Sequence, residues 1–292
     1  MTQTKHDIWS DWLLERRFGG NVRQMKATMR YLHRVRNKVL KHARLREGET
    51  LLDVGCGDGL IGFGALEKTD SVRVVFCDIS EDLLHHSRAI AEKMGFLDRS
   101  EFTRAPAEDL SAIASGSVDV VTTRSVLIYV SLKEEAFREF HRVLKPGGRL
   151  SIFEPINRFG YPGPPDRFAG HDVAAVAAIA RKVKALYEQI QPPDSDPMMD
   201  FDERDLVTLA EKAGFREVQL ELQVKVKLKH THTDWDAMLR TAPNPKIPTL
   251  EEAMEQVLSP AERETFVAHL RPLVEEGRGT LRSAVAYLWA VK

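Results

Sequence analysis

The sequence predicts an α/β protein, a mostly parallel sheet with helices on both faces. Three observations predict it. Short apolar runs recur at TLLDV, VRVVFCD, VDVVTT and RLSIFE; the stretches between them carry apolar residues at helical spacing; and the glycine cluster GCGDG follows the first run directly. Strands joined through helices cannot pair as tight hairpins, so the sheet they form is parallel and covered on both sides.

Composition narrows the class. The chain has 292 residues, 43% hydrophobic and 29% charged, with 18 Gly and 14 Pro dispersed along it. That is ordinary globular composition, with length for one large core or two small ones. Lys and Arg number 42 against 43 Asp and Glu, a net charge of −1, which excludes a uniformly basic nucleic-acid binder. Two cysteines, Cys56 and Cys77, are too few for a disulfide framework or a four-cysteine zinc site, so no structural metal is expected. No apolar run reaches the ~18 residues of a membrane span, and MTQTKHDIWSDW lacks a basic-then-apolar signal pattern. The expectation is a soluble, cytoplasmic protein without a membrane partner.

Residues 1–46 read as an N-terminal helical arm, two helices split by Gly19-Gly20. The second carries Val22, Met25, Met29, Leu32, Val35, Val39 and Ala43 as an apolar stripe opposite a basic face. With twelve basic and three acidic residues the arm is +9, leaving −10 for the rest. A basic face turned to water or to the acidic remainder explains this charge; contact with an anionic substrate or RNA is the sharper alternative. An amphipathic arm also suits packing on a neighbouring subunit, a candidate homo-oligomer.

Residues 47–155 hold the alternating core: TLLDV, the glycine turn, a helix, VRVVFCD, a helix from Ser80, EFTR, VDVVTT, a helix, and RLSIFE. The last helix is assigned a Ser131/Glu134 capping box, an apolar side of Leu132, Ala136, Phe137, Phe140, Val143 and Leu144, and a stop at Lys145-Pro146-Gly147-Gly148. A Pro/Gly loop and a helix from Val173 to Ile190 then form a helical insertion over 156–200, near the sheet's carboxyl edge. Residues 201–230 return to the core as the helix FDERDLVTLAEKAGF and the strand REVQLELQVKVKLKH. Lys225, Lys227 and Lys229 share one face of that strand, where charge resists edge-to-edge pairing. Residues 231–276 are a second helical insertion with capping pairs Thr249/Glu252 and Ser259/Glu262, and 277–292 close the core as an interior strand apolar on both faces.

The chemistry concentrates at LLDVGCGDG. Glycines there permit a tight turn and bring backbone N–H groups against a ligand, and the next helix aims its positive end at the same crevice. Asp78 ends the second strand 21 residues after Gly57, where a carboxylate can accept both hydroxyls of an adenosine ribose. Such charge-assisted bonds contribute about 1.5–3 kcal/mol each. Gly57, Gly59 and Gly62 also satisfy the dinucleotide pattern G-x-G-x-x-G. Asp53, two residues before Gly55, weighs against a dinucleotide, because an acid beside two phosphates is repulsive whereas it suits a zwitterionic methionine tail.

LLDVGCGDG, VVFCDIS, APAEDL, SVDVVTTRSVLIYV and FREFHRVLKPGGRLSIFEP, in that order over roughly residues 47–155, resemble the class I S-adenosylmethionine-dependent methyltransferases, most closely the ubiquinone/menaquinone-type small-molecule branch. The resemblance implies a Rossmann-like seven-stranded sheet ending in an antiparallel C-terminal hairpin, with S-adenosyl-L-methionine as cofactor. It sets Asp53, Gly55, Cys56, Gly57 and Gly59 around the methionine and ribose, Asp78 on the ribose hydroxyls, Ile79 against adenine, Ala107 and Glu108 at the adenine-contacting step, and Arg124 on the methionine side. Two structural alternatives stand beside these roles: Glu108 as a solvated acid at a helix start, and Arg124 as a partner for Asp53.

Methyl transfer from a sulfonium is an in-line displacement on an activated carbon, and orientation alone can supply ~7–11 kcal/mol. A base is needed mainly where the acceptor must lose a proton. The candidate catalytic residues are Tyr129 after the fourth strand, Glu154 ending the fifth, and His171, with Tyr161, in the insertion expected to cover the pocket. Glu154 as an arginine partner and His171 as a solvated loop residue are the ordinary alternatives. TTRSVLIY lacks the N-P-P-aromatic or D-P-P-Y of adenine-N6 and glutamine methyltransferases, and Cys56 and Cys77 sit where a small buried side chain suffices, not where a nucleophilic thiol is needed. The expected activity is methylation of a small, partly apolar molecule in a pocket enclosed by the N-terminal arm and the two helical insertions around its mouth, without a nucleic-acid partner. The rival readings are an RNA or protein methyltransferase acting through the basic arm, a non-catalytic cofactor-binding subunit, and, more distantly, an oxidoreductase.

Overall fold

The computed structural model describes residues 6–229 and 234–292. The arm is a short helix α1 (Ile8–Asp11) running into a π-helical turn over Trp12–Arg16, then α2 (Val22–Ala43). Asp7 caps the first through the N–H groups of Trp9 and Ser10, and Asn21 caps the second through Gln24 N–H. Leu32, Val35, Val39, Leu40 and Ala43 of α2 are buried while Val22 and Met25 are exposed. The expected stripe is therefore buried only in its second half, where α2 crosses the sheet.

Five strands, β1 (Thr50–Val54), β2 (Arg73–Asp78), β3 (Ser100–Arg104), β4 (Val118–Arg124) and β5 (Leu144–Pro155), pair in parallel in the order 3-2-1-4-5. They are joined through α3 (Leu60–Leu66), α4 (Glu81–Met94) and α5 (Lys133–Val143). The chain reverses its direction of travel across the sheet between β1 and β4, so the carboxyl ends of these neighbours open a crevice. One face packs Val35 and Val39 of α2 with Ile61, Phe63 and Phe76; the other packs Phe137 and Phe140 of α5 with Val121, Leu150 and Leu288.

Beyond β5 come a two-residue hairpin β6 (Arg167–Phe168) and β7 (His171–Asp172), α6 (Ala177–Ile190), α7 (Glu203–Lys212), β8 (Arg216–Lys229), α8 (Trp235–Arg240), α9 (Leu250–Val257), α10 (Pro260–Glu275) and β9 (Gly279–Val291). β9 runs antiparallel between β5 and β8. Among the described residues the main sheet thus has seven long strands with an antiparallel C-terminal pair, and the small hairpin joins β9 only at His171 and Gly279. Phe168, Val183, Trp235, Met254, Phe266 and Leu270 form a separate core, in which the helical segments on either side of β8 bury each other's apolar faces.

Local differences from the sequence reading have local causes. The Ser131/Glu134 capping box does not form: α5 starts at Lys133 behind an uncapped Leu132 that is 55% exposed, and Glu134 pairs instead with Arg138 and Lys212. Lys145-Pro146-Gly147-Gly148 lies inside β5, where pairing with β4 shifts register, so it bends a strand that begins as soon as the helix ends. Thr249/Glu252 and Ser259/Glu262 do form capping boxes, and α7 has a further one from Asp202 and Asp205. On β8, Lys225 lies over the Tyr31 ring of α2, and Leu222, Val224, Val226 and Leu228 are left exposed; the side chain of Lys229 and residues 230–233 fall outside the described residues.

Candidate functional site

The site begins where β1 ends. Gly55 and Gly57 have φ of +63° and +56°, in the left-handed region that favours glycine. At Gly55 a Cβ would meet Val126 Cγ2 at 2.3 Å, so the loop needs glycine to close against the segment after β4. Gly57 N–H donates to Asp78 Oδ2 at 2.8 Å, and Ser80 N–H to Oδ1 at 2.9 Å. The acid ending β2 is thereby fixed to the glycine loop of the neighbouring strand, yet a carboxylate has about four acceptor sites and keeps capacity for a ligand's hydroxyls. Burial pushes the Asp78 carboxyl up, and its backbone N–H partners pull it back.

Above this junction is a cavity of about 550 Å³ whose core walls include Gly55, Gly57, Asp78, Ile79, Ala107, Glu108 and Arg124, a volume typical of small-molecule sites. Ile79 is 41% exposed, an apolar surface ready to be covered by a flat ring. The roof comes from the arm through Trp9, Trp12, Leu13, Arg17 and Phe18, with Tyr129 and Met198 at the side. The arm is tied down at both ends. Ser80 Oγ donates to Asp7 Oδ2 at 2.6 Å, Asp7 N–H to Asp82 at 2.9 Å, Trp12 Nε1–H to the Ala242 carbonyl at 2.8 Å, and Arg16 reaches Glu252 at 2.5 Å.

Three residues expected at the cofactor, Asp53, Cys56 and Gly59, do not line the cavity. Asp53 is buried below the floor, its Oδ1 accepting from Thr122 Oγ1 and its Oδ2 from Gly62 N–H, both at 3.0 Å. It clamps β1 to β4 and α3, and burial pushes its carboxyl up to about 7. Arg124 makes no ion pair with it. Cys56 is buried, its thiol raised well above the usual value by desolvation, and Gly59 caps α3 against the Phe63 ring; neither lines the cavity.

The catalytic candidates also separate. Tyr129 lines the cavity, edge-on to Trp9 at 4.9 Å, and burial first, then the Glu154 charge, raises its phenol pKa. Glu154 is fully buried beneath the wall, has no arginine partner, and accepts from the N–H groups of Val126 at 2.9 Å, Leu127 at 3.1 Å and Ile128 at 3.4 Å. Burial pushes it up to about 7 against those bonds. His171 is buried in β7 with Nδ1 3.1 Å from the Arg278 carbonyl, away from the cavity, and Tyr161 is exposed.

The sequence reading sets the arm around the acceptor mouth without naming the residues that roof the cavity. Arg17 was one charge among twelve, but Trp9, Trp12, Leu13 and Arg17 recur at helical spacing and so share a face. The Arg17 guanidinium lies 5.4 Å from the Trp12 centroid and 5.3 Å from that of Phe18. Burial first, then the charge of Arg124, pulls its pKa down to about 10. Among the described residues no group of His, Cys, Asp and Glu is placed to hold a metal ion, and no helix is long and apolar enough to cross a membrane.

A methyltransferase-domain family matches residues 45–214. The chain is 31% identical over 183 residues to the ubiquinone/menaquinone biosynthesis C-methyltransferase UbiE of Cronobacter sakazakii, covering 60% of this chain and 69% of that one. It is 29% identical over 181 residues to the UbiE of Cereibacter sphaeroides, covering 58% and 67%. The structure of Haemonchus contortus phosphoethanolamine N-methyltransferase 2 in complex with S-adenosyl-L-methionine superposes with a TM-score of 0.51 at 17% identity, over 89% of this chain and 52% of that one, a likeness of fold. With this match over more than half its length, and with a glycine loop and acid-ended second strand opening into a roofed cavity, the chain belongs to the methyltransferase-domain family and is a class I S-adenosylmethionine-dependent methyltransferase.

Proposed function

We propose that the enzyme holds S-adenosylmethionine along Gly55–Gly57, with the ribose hydroxyls on Asp78, adenine between Ile79 and Ala107 with Glu108 at its edge, and the methionine end toward Arg124. It then methylates a small, partly apolar acceptor enclosed between the arm and the segment 126–130. The observation that carries this reading is the Asp78–Gly57 junction opening directly into the roofed cavity. The cofactor, when bound, supplies an electrophilic methyl group on a sulfonium.

The chain's own work is orientation and exclusion of water, a contribution of ~7–11 kcal/mol where the geometry is good. Tyr129, its phenol kept protonated by burial, donates a hydrogen bond to the acceptor and does not take its proton. Glu154 acts through the backbone it holds, fixing the wall at Val126–Ile128.

A small acceptor is favoured over RNA or protein by the roofed cavity beside the Asp78–Gly57 junction, and part of the basic arm's charge is answered within the chain. Arg16 pairs with Glu252, Arg36 with Glu67 and Lys38 with Glu221, while Arg17 points into the cavity. Calorimetric titration with S-adenosylhomocysteine and, separately, NAD tests the cofactor assignment. Saturable binding of S-adenosylhomocysteine alone is expected; binding of NAD alone, or of neither, overturns it.

A further inference from the structure

We propose that the acceptor is an aryl carboxylate, its flat apolar body held among the arm's aromatic rings and its carboxylate received by Arg17. The proposal rests on the cofactor placement above. S-adenosylmethionine carries one carboxylate against an ammonium and a sulfonium, so it enters as a net cation. The cavity that receives it already holds two guanidiniums, Arg17 and Arg124. Among the described residues neither makes a salt bridge or a side-chain hydrogen bond. A guanidinium cannot shed its proton to relieve burial, and a partly buried charge without a counter-ion is costly. The single carboxylate of the cofactor can answer one of them. The other is open to an anion from the acceptor.

Position decides which is which. Arg124 extends from the end of β4, beside the Gly55 wall where the methionine end is placed. Arg17 comes from the arm, its guanidinium held over the Trp12 and Phe18 rings. That contact orients the planar fork without consuming its donors, which suits a bidentate carboxylate. The other carboxylates of the cavity are engaged elsewhere: Asp78 accepts from Gly57 and Ser80, and Glu108 lies at the adenine step. Asp58 is near enough to favour the charged form of Arg17, but it makes no ion pair with it. Trp12 and Phe18 lie against Arg17, and the same cavity is lined by Trp9, Tyr129 and Met198, aromatic faces and a pliable thioether that fit a planar ring system. One guanidinium matches one monoanion; a phosphate dianion would call for more donors.

The test uses the full chain saturated with S-adenosylhomocysteine, whose own titration is run first. Benzoate and 2-naphthoate are each titrated against the matched carboxamide. A preference of at least tenfold for a carboxylate over its amide is expected, larger for the naphthyl pair. Arg17→Gln should erase that preference and leave S-adenosylhomocysteine affinity within threefold, and Arg17→Lys should recover only part of it. If neither carboxylate is preferred to its amide, the proposal falls while the cofactor reading stands. If Arg17→Gln weakens S-adenosylhomocysteine more than tenfold and keeps the carboxylate preference, Arg17 serves the cofactor and the proposal is overturned. Failure of S-adenosylhomocysteine to bind the unaltered chain would instead remove the cofactor reading.

Discussion

Asp53 and Asp78 are buried carboxylates on neighbouring strands, and what separates them is the direction each one faces. Asp78 borders the cavity with two backbone donors already bound; Asp53 lies under the floor with Thr122 and Gly62 as its partners. Asp78→Ala should therefore weaken S-adenosylhomocysteine roughly 10- to 100-fold, about 1–3 kcal/mol for lost charge-assisted bonds. Its melting temperature should fall only modestly, from the two N–H groups it frees. Asp53→Asn should leave affinity within threefold, because Asp53 does not line the cavity; its amide oxygen can accept from Gly62 N–H while its NH₂ donates to Thr122 Oγ1. Calorimetry and thermal melts on the two variants separate the roles, and a tenfold loss of affinity in Asp53→Asn would return that residue to the cofactor. Residue spacing made Asp78 legible, since the end of a parallel strand faces the crevice whatever surrounds it. The partners of Asp53 were not legible, because alternation along one strand does not say whether a side chain meets a cavity or a neighbouring strand's threonine.

At the scale of elements, α1 with its π-helical turn is too short to persist on its own. It is held by Asp7 and Asp82 at one end and by the Trp12–Ala242 and Arg16–Glu252 contacts at the other. Those ties bridge the core and the second, helical core, so the arm closes the site only when both are in place. An element of this kind opens by local unfolding at small cost. Trp12→Ala removes a roof residue and its hydrogen bond, and should raise amide hydrogen exchange over residues 8–17 at least tenfold while β1, β4 and β5 keep their protection. Unchanged exchange in the arm would mean that its closure does not depend on Trp12. The sequence put an amphipathic, basic arm at the acceptor mouth, but not which of its residues roof the cavity or what ties them there. An apolar stripe declares that a face will be buried and is silent on the partner, and here the partners of the arm lie some 70 and 230 positions away. The alternation of strands and helices, by contrast, is a local signal, and the parallel sheet with its antiparallel C-terminal strands followed from it and from the resemblance.

Across the whole molecule, burial opposes ionisation on the floor of the cavity and hydrogen bonds favour it on the surface, and the two populations act on stability in different pH windows. Glu49, Asp119, Glu139 and Glu221 are held below their ordinary range, by Arg149, Lys145, Arg142 and Lys38. Their contribution is present above the unfolded-state values and is lost as pH falls through the lowered ones. Asp53 and Glu154 are pushed the other way, each to about 7 from 3.8 and 4.5, chiefly by burial. Their contribution is fully present below those unfolded-state values and is lost as pH rises through 7. The ligand-free protein should therefore be most stable in mildly acidic solution and weaken toward neutrality. Glu154→Gln tests this, because its amide oxygen can still accept from Val126 and Leu127 while the titration disappears. Urea denaturation of the unaltered chain from pH 5 to pH 8 should show a falling limb. In Glu154→Gln that limb should be shallower by an amount on the order of 3 kcal/mol, the free energy of a shift between those two values. Parallel limbs in the two proteins would show that Glu154 ionises in the folded state as freely as in the unfolded chain.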